Sequence, residues 1–533
     1  MTWRFDGWRE FPLDVVLIAA ACAAVSFFLY RHFELNLADE GFLWYGTIRT
    51  ALGDVPLRDF QSYDPARYYW GALWFKILGN DGINSLRFSA HVLQFLGSCF
   101  GLLVVRRTTR KWWALAAAGL LLWLWMGSYE WVIMAAAVYF GVLLIERPSA
   151  LRHFTAGVFV GIAAFFGRNN GLYCALAFVA LILFIWFRLD RRQLPMRICM
   201  WSLGIFVGYL PMLTMIVLVP GFFHVMIEAI KFNLLVATRL PLSAPWPWRP
   251  DYSRMSWGVA AFEFGVGLLY LVIPIFYVAA GIHLLFTKHL QRKTALIASV
   301  FVGLVYLHYT FSRASFVYLN YTIEPALIGL MTLPAVFGQR YRKVLTVGVW
   351  SFLLVASWTT VWVVRCISVK AAVKAVAAPR YHGSFDLAYR NYNFVRTNVR
   401  GEDLWLATDK AKLVQDVTAM VEQRVSPDEA ILIAPYWTTF YPILRKKSPA
   451  WEIYFLFPQS RSKQEEMIND LERKTVNWAL ICNEALDGRD ELRFSNTHSY
   501  LWQYLMENFE PVGVDVLPNE CQFLHRKERI AVK

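Results

Sequence analysis

The run Leu13 to Tyr30 reads LDVVLIAAACAAVSFFLY, and the residues that follow it, 31–41, read RHFELNLADEG and end at Asp39, Glu40 and Gly41. Arg4 and Arg9 precede the run, whose length approaches the roughly 20 apolar residues that cross a bilayer. Small residues around Cys22 imitate a signal-peptide cleavage site; we read the run as an uncleaved span. Further apolar runs follow at Phe88 to Val105, Trp112 to Met126, Trp131 to Ile145, Phe154 to Phe166, Leu172 to Phe187 and Ile198 to Val219. Phe264 to Phe286, Ala295 to Tyr309, Pro325 to Phe337 and Val344 to Val364 complete the set. The pattern predicts an all-α polytopic membrane domain with about 11 crossings, the shorter ones helped by tilt, polar flanks or local thinning. Composition agrees: 533 residues, 57% hydrophobic and 17% charged, with a mean hydropathy of +0.39, exclude secreted, fibrous and disordered classes.

The net charge of +14 is explained by topology. Arg106, Arg107, Arg110 and Lys111; Arg147 and Arg152; Arg188, Arg191, Arg192 and Arg197; Lys288, Arg292 and Lys293; and Arg340, Arg342 and Lys343 fall in alternate connectors. Lys and Arg are retained on the cytoplasmic side, so the N-terminus is predicted to be cytoplasmic. An odd number of crossings then carries everything after Arg365 to the opposite side. No nucleic-acid partner is implied. The division is a polytopic domain over 1–365, with a first external loop at 31–87, and an exterior α/β domain over 366–533.

In that second domain the short runs Ala430 to Ala434, Ile453 to Phe457 and Trp478 to Cys482 read as strands. Ser462 to Lys474 and Ser499 to Phe509 read as helices. Cys22, Cys99, Cys174 and Cys199 read as ordinary buried thiols within or beside spans, and no CxxC or Cys/His cluster suggests zinc. Cys366, Cys482 and Cys521 lie in the polar part, where a Cys482 to Cys521 disulfide is open. Pro241, Pro245, Trp246, Pro247, Trp248 and Pro250 mark an aromatic-anchored loop at the interface.

The adjacent carboxylates Asp39 and Glu40 lie close to where the chain leaves the lipid, a costly place unless they are solvated or used. Two readings stand: acids placed in a first helical turn, favoured by its dipole, or a general base. The loop continues through Gly53-Asp54-Val55-Pro56-Leu57-Arg58-Asp59-Phe60 and Tyr63-Asp64-Pro65-Ala66-Arg67-Tyr68-Tyr69-Trp70. Its mixture of acids, arginines and aromatics suits a sugar and a phosphate.

Taken with the topology, these motifs resemble the C-type (GT-C) integral-membrane glycosyltransferases, in the branch of the protein O-mannosyltransferases and the lipid A aminoarabinose transferase. The resemblance covers the layout of the whole chain and, in sequence, Ala38 to Trp70. It implies inverting transfer of a sugar from a polyprenyl-phosphate donor to a hydroxyl of a lipid, glycan or protein acceptor on the periplasmic face of a bacterial inner membrane. Asp39 would then be the catalytic acid of the pair, with Glu40 orienting it or contacting the sugar.

That chemistry can be built independently. An acceptor hydroxyl is a poor nucleophile, so a carboxylate must take its proton as the new C–O bond forms. The leaving phosphate departs as an anion and needs positive charge, not the second carboxyl group of a glycosidase. Arg67, Arg168 and Arg313 are the candidate phosphate contacts, because the planar guanidinium fork suits phosphate oxygens. Arg168 opens the short Gly167-Arg168-Asn169-Asn170-Gly171 stretch, where relatives often show an Arg-x-Asp-Gly-like run and this chain has Asn170. That departure weakens a metal-ligand role; a divalent cation stays open, and no other cofactor is implied. In the Ser312-Arg313-Ala314-Ser315 loop the arginine is kept while the Asp and His of relatives are replaced. Snorkelling to headgroups is the alternative for Arg168, and pairing within the loop the alternative for Asp64 and Arg67.

Asp64, Tyr68, Glu130, Asn170, Lys231 and Tyr318 are candidate substrate contacts, and His224, Lys231 and Arg239 candidate linings of the carrier's entrance. Three rival readings remain: a flippase or transporter of lipid-linked glycans, a glycan polymerase or ligase using a lipid-diphosphate donor, and a non-catalytic membrane scaffold. The first predicts mid-span acids with repeat symmetry, and the sequence shows no repeat.

Overall fold

Lipid offers a backbone no hydrogen-bond partner, so apolar runs must satisfy their own peptide groups and become helices. In the computed structural model, which describes residues 12–125, 127, 129–235, 240–362, 383–386, 391–513 and 516–528, every predicted run overlaps a helix. Arg239 and Cys366 lie outside the described residues. The helices are α1 (Leu13–Tyr30), α2 (Asp39–Ala51), α3 (Ala66–Leu78), α4 (Ile83–Val105), α5 (Trp112–Leu124), α6 (Glu130–Glu146), α7 (Ala150–Phe166) and α8 (Arg168–Arg188). They continue with α9 (Leu194–Leu218), α10 (Phe222–Leu235), α11 (Trp257–Phe286), α12 (Thr294–Ser312), α13 (Phe316–Thr322), α14 (Glu324–Thr332) and α15 (Gln339–Ser357).

Seven of these, α1, α4, α8, α9, α11, α12 and α15, are long and apolar enough to cross a membrane. The number is eight if α13 and α14, bent by 55° at their junction, form one broken span. The other predicted runs lie on the shorter helices α5, α6 and α7. The molecule is thus a multi-pass helical protein.

The basic connectors gather at one end of the bundle: Arg107 pairs with Glu146, Arg342 donates to the Thr108 carbonyl at 3.5 Å and Arg188 to the Thr287 carbonyl at 3.1 Å. At the other end the three hydrophilic pieces meet. Arg400 bridges to Asp81 at 2.9 Å, Lys447 to Asp54 at 3.1 Å, Lys463 of the second domain to Glu228 of α10 at 3.6 Å, and Lys410 to Glu34. Within the bundle α7 and α9 touch backbone to backbone. A Cβ on Gly157 would lie 2.1 Å from the Trp201 carbonyl oxygen, and one on Gly208 2.1 Å from that of Val158. This small-residue packing is common where helices associate in lipid.

The polar C-terminal part holds two sheets. One is antiparallel, in the order β1 (Gly383–Asp386), β2 (Asn391–Val399), β3 (Glu402–Ala407). The other runs β4 (Ile431–Ala434), β5 (Trp478–Cys482), β7 (Cys521–Arg526), β6 (Phe509–Pro511), with β4 and β5 parallel and the remaining pairs antiparallel. Helices Thr408–Arg424, Arg461–Arg473 and Ser499–Asn508 cover them. Cys482 and Cys521 sit opposite each other across β5 and β7 and are disulfide-bonded.

One expected strand is absent. Ile453 to Phe457 is irregular, because its peptide groups are used elsewhere: Ile453 and Tyr454 donate to the Gln61 side chain at 3.0 and 2.8 Å, and Phe455 to the Pro435 carbonyl at 3.2 Å. The segment 31–87 shares a core with the α/β part. Leu35, Phe42, Trp44, Phe60 and Tyr68 pack in one cluster with Leu404, Val417, Ile433, Phe440 and Ile453. α2 and α3 are therefore partly inside that core, and Phe33 forms a β-bridge with Trp405 of β3.

Candidate active site

Asn36 braces the turn that leads into α2: its Oδ1 accepts from the Ala38 and Asp39 amides at 2.9 and 3.0 Å. Both acids occupy the first turn, where the helix dipole favours them, and adjacent helical positions point their side chains in different directions. Glu40 turns to Arg87 of α4, with Nε 2.7 Å from Oε1 and Nη2 2.8 Å from Oε2. Arg87 also donates to the Arg31 and Glu34 carbonyls at 2.7 and 2.6 Å. Glu40 thus ties α2 to α4, while Arg87 also holds the segment that follows α1, and Glu40 does not line the cavity.

Asp39 does. A cavity of about 2010 Å³ is bounded by Asp39, Tyr63, Arg67, Glu130, Arg168 and Tyr318 among others, and extends between α10 and the α/β part. The Tyr454 hydroxyl donates to Asp39 Oδ1 at 2.9 Å. Burial and the charge of Asp39 hold that phenol well above its ordinary pKa, so it remains a donor. Tyr63, pushed up to about 12 by burial and by Asp39, lies beside both the carboxylate and Arg67.

The Arg67 guanidinium is sandwiched between Tyr63 and Tyr129, its carbon 4.5 and 3.8 Å from the ring centres. Its Nε donates to the Phe166 carbonyl at 2.9 Å. Among the described residues no carboxylate lies within ion-pairing distance of it. Asp64 pairs instead with Arg168: Nε is 2.7 Å from Oδ1, and the Arg168 amide donates to Oδ2 at 2.9 Å. The pairing of Asp64 with Arg67 left open by the sequence is not the one formed. Arg168 is a partnered residue with Nη1 buried and without a hydrogen bond among the described residues.

The stretch Gly167 to Gly171 is not an open turn. The chain reverses at Gly167 and α8 begins at Arg168, bringing the positive end of its dipole to the cavity. Asn170 lies in the first turn and accepts from Tyr306 at 3.1 Å. Glu130, buried at the start of α6, and Tyr318 of α13 line the same cavity, as does Lys231 of α10 at its far side. Tyr68 does not; it is fully buried and its hydroxyl accepts from the Tyr63 amide at 3.0 Å. Arg313 is at the wall, with Nη2 2.8 and 2.7 Å from the two oxygens of Asp487. No group of three or more His, Cys, Asp or Glu is placed to hold a metal among the described residues.

Tyr454, Gln61, Tyr129 and Asp487 belong to the site and were not legible in sequence. Gln61 lies within the suspicious loop, so its position was a signal. Tyr454 and Asp487 come from a segment more than 400 residues away, which no local pattern connects to Asp39.

Fold and site together define a class: a multi-pass helical membrane protein with an α/β domain seated over a cavity that holds a carboxylate on one side and guanidinium groups on another. No protein-family model matches the chain, and no curated protein matches it. Among solved structures it is similar to the archaeal oligosaccharyltransferase AglB from Archaeoglobus fulgidus, determined in complex with an inhibitory peptide and a dolichol-phosphate. The two are 12% identical with a TM-score of 0.36, over 91% of this chain and 70% of that one.

Proposed function

We propose that the protein is an inverting glycosyltransferase that moves a sugar from a polyprenyl-phosphate donor to an acceptor hydroxyl on the non-cytoplasmic face of the membrane, the periplasmic face of a bacterial inner membrane. The observation that carries this reading is the cavity in which the Asp39 carboxylate and the Arg67 guanidinium, free of carboxylate partners among the described residues, both face the space. Asp39 accepts the proton of the attacking hydroxyl. Arg67, the buried Nη1 of Arg168 and the α8 N-terminus supply the positive field for the departing phosphate. Trp70, Leu86, Ala90 and Leu93 extend the lining onto apolar helix surface, suitable for the first isoprene units. Arg313, already neutralised by Asp487, joins the α12–α13 loop to the exterior domain and is a weaker phosphate contact than Arg67.

In one step the acceptor O–H bond breaks as its oxygen joins the anomeric carbon from the face opposite the phosphate. The sugar–phosphate bond breaks, its electron pair leaving with the carrier. The test uses the purified full chain with radiolabelled polyprenyl-phosphate hexoses and pentoses and cell-envelope material as acceptor. Transfer that is lost in a folded Asp39→Asn variant supports the proposal; unaltered transfer removes Asp39 from the mechanism. Movement of the labelled lipid across a vesicle bilayer without bond formation supports a flippase, and transfer from lipid diphosphates alone supports a polymerase or ligase.

A further inference from the structure

We infer that the α/β domain supplies a positioning residue to the reaction centre: Tyr454, anchored by Gln61, fixes the Asp39 carboxylate so that Oδ1 is held and Oδ2 takes the proton. This rests on the reading of Asp39 as the base.

The two oxygens of Asp39 have different surroundings. Oδ1 accepts from Tyr454 at 2.9 Å. Among the described residues Oδ2 has only Asn36 Nδ2 at 3.5 Å, the far limit of a hydrogen bond, so its lone pairs are the ones left for an incoming hydroxyl. Tyr454 is in turn fixed from both sides. Gln61 Oε1 accepts from the Ile453 and Tyr454 amides, and Gln61 Nε2 donates to the Tyr454 carbonyl at 3.1 Å. The ring packs against Phe42 and Tyr436, with centroids 5.5 and 6.0 Å away. Two further bonds join the segment to the loop: Trp451 Nε1 to the Leu57 carbonyl at 2.9 Å and the Gln61 amide to the Trp451 carbonyl at 2.8 Å.

A second clamp acts on the backbone that bears Asp39. The Thr438 hydroxyl donates to the Ala38 carbonyl at 2.7 Å, and the Thr439 hydroxyl to the Asn36 carbonyl at 3.0 Å. The Thr439 amide donates to the Leu37 carbonyl at 3.0 Å. Gly41 makes this approach possible, since a Cβ there would lie 2.0 Å from Thr439 Oγ1 and 2.3 Å from its amide nitrogen. The turn preceding α2 therefore has the geometry it has only while the exterior domain is seated on it. A base must be held within hydrogen-bond reach of the proton it removes, and a carboxylate free to rotate would spend much of its time misaligned. Tyr454 keeps its own proton throughout; the acceptor's proton rests on Oδ2 until it is released to solvent.

The experiment has two arms on the purified full chain. In the first, with no substrate, thermal melting is measured for Tyr454→Phe, Asp39→Ala and the pair; the inference expects the two losses in melting temperature to be clearly less than additive. In the second, with a labelled polyprenyl-phosphate sugar as donor, Tyr454→Phe lowers kcat by roughly 10- to 150-fold, the worth of one hydrogen bond to a charged group, with donor KM unchanged. Gln61→Ala moves kcat in the same direction. Additive melting losses, or a wild-type kcat for Tyr454→Phe, overturns the inference. Retained transfer by Asp39→Asn instead overturns the reading of Asp39 as base, an outcome to which the melting arm is indifferent.

Discussion

Replacing Arg67 by lysine separates charge from geometry at the proposed phosphate site. Arg67 spends Nε on the Phe166 carbonyl and its two faces on Tyr63 and Tyr129, which leaves the terminal nitrogens for the cavity. A guanidinium so oriented presents a fork to two phosphate oxygens. A lysine keeps the charge but is a point donor without a plane, and it cannot bond the Phe166 carbonyl and a phosphate in the same arrangement. The variant therefore forfeits about one charge-assisted hydrogen bond to the leaving group, worth roughly 1.5–3 kcal/mol, or on the order of 10- to 150-fold in kcat/KM. Alanine is a poorer probe, because it also strips the Tyr rings of their cation and the carbonyl of its donor, so loss of fold would enter the result. The assay is transfer from a labelled polyprenyl-phosphate sugar by Arg67→Lys, with melting temperature measured on the same preparation. Wild-type kcat/KM in a lysine variant of unchanged melting temperature would refute Arg67 as the phosphate contact.

Arg87→Met leaves Glu40 and the carbonyls of Arg31 and Glu34 without their donor in a mostly buried setting; a cost of about 3–5 kcal/mol is expected, read as a large drop in melting temperature. Breaking the Cys482–Cys521 bond with paired serines releases a loop of sequence separation 39 and lowers stability of the α/β part by up to about 4 kcal/mol on the chain-entropy account, measured by melting or pulse proteolysis. Asp59 is held below its ordinary carboxylate pKa chiefly by its hydrogen bond from Arg58. A depressed folded value means that its contribution is present above the unfolded value and is lost as pH falls through the folded one. Arg58→Gln should therefore flatten that part of the acid-induced loss of stability, seen by comparing melting curves of the two proteins from about pH 6 down to about pH 3.

The helical bundle was legible because its physics is local. Runs such as Leu13 to Tyr30 must form helices wherever they meet lipid, and the alternation of Arg107, Arg152 and Arg188 with acidic and aromatic loops sorts the connectors into two groups. β4, β5 and two of the covering helices could likewise be read from periodicity. Ile453 to Phe457 misleads because its β-rich composition reports a wish for burial, which a loop stitched to Gln61 satisfies as well as a ladder does.

At the site, the sequence by itself drew attention to the Asp39–Glu40 pair, the arginines and the aromatic run from Tyr63 to Trp70 as candidates. Tertiary structure alone decided their division of labour. It sends Glu40 to Arg87, Asp64 to Arg168 and Arg313 to Asp487, and leaves Arg67 between two tyrosine rings. The reason is that ion pairs and hydrogen bonds are chosen by distances of 2.7 to 2.9 Å, and distances between segments hundreds of residues apart are set by how a shared core packs. Tyr454 touches Asp39 because Phe42, Phe60 and Ile433 bury one another, a fact that no window of sequence contains.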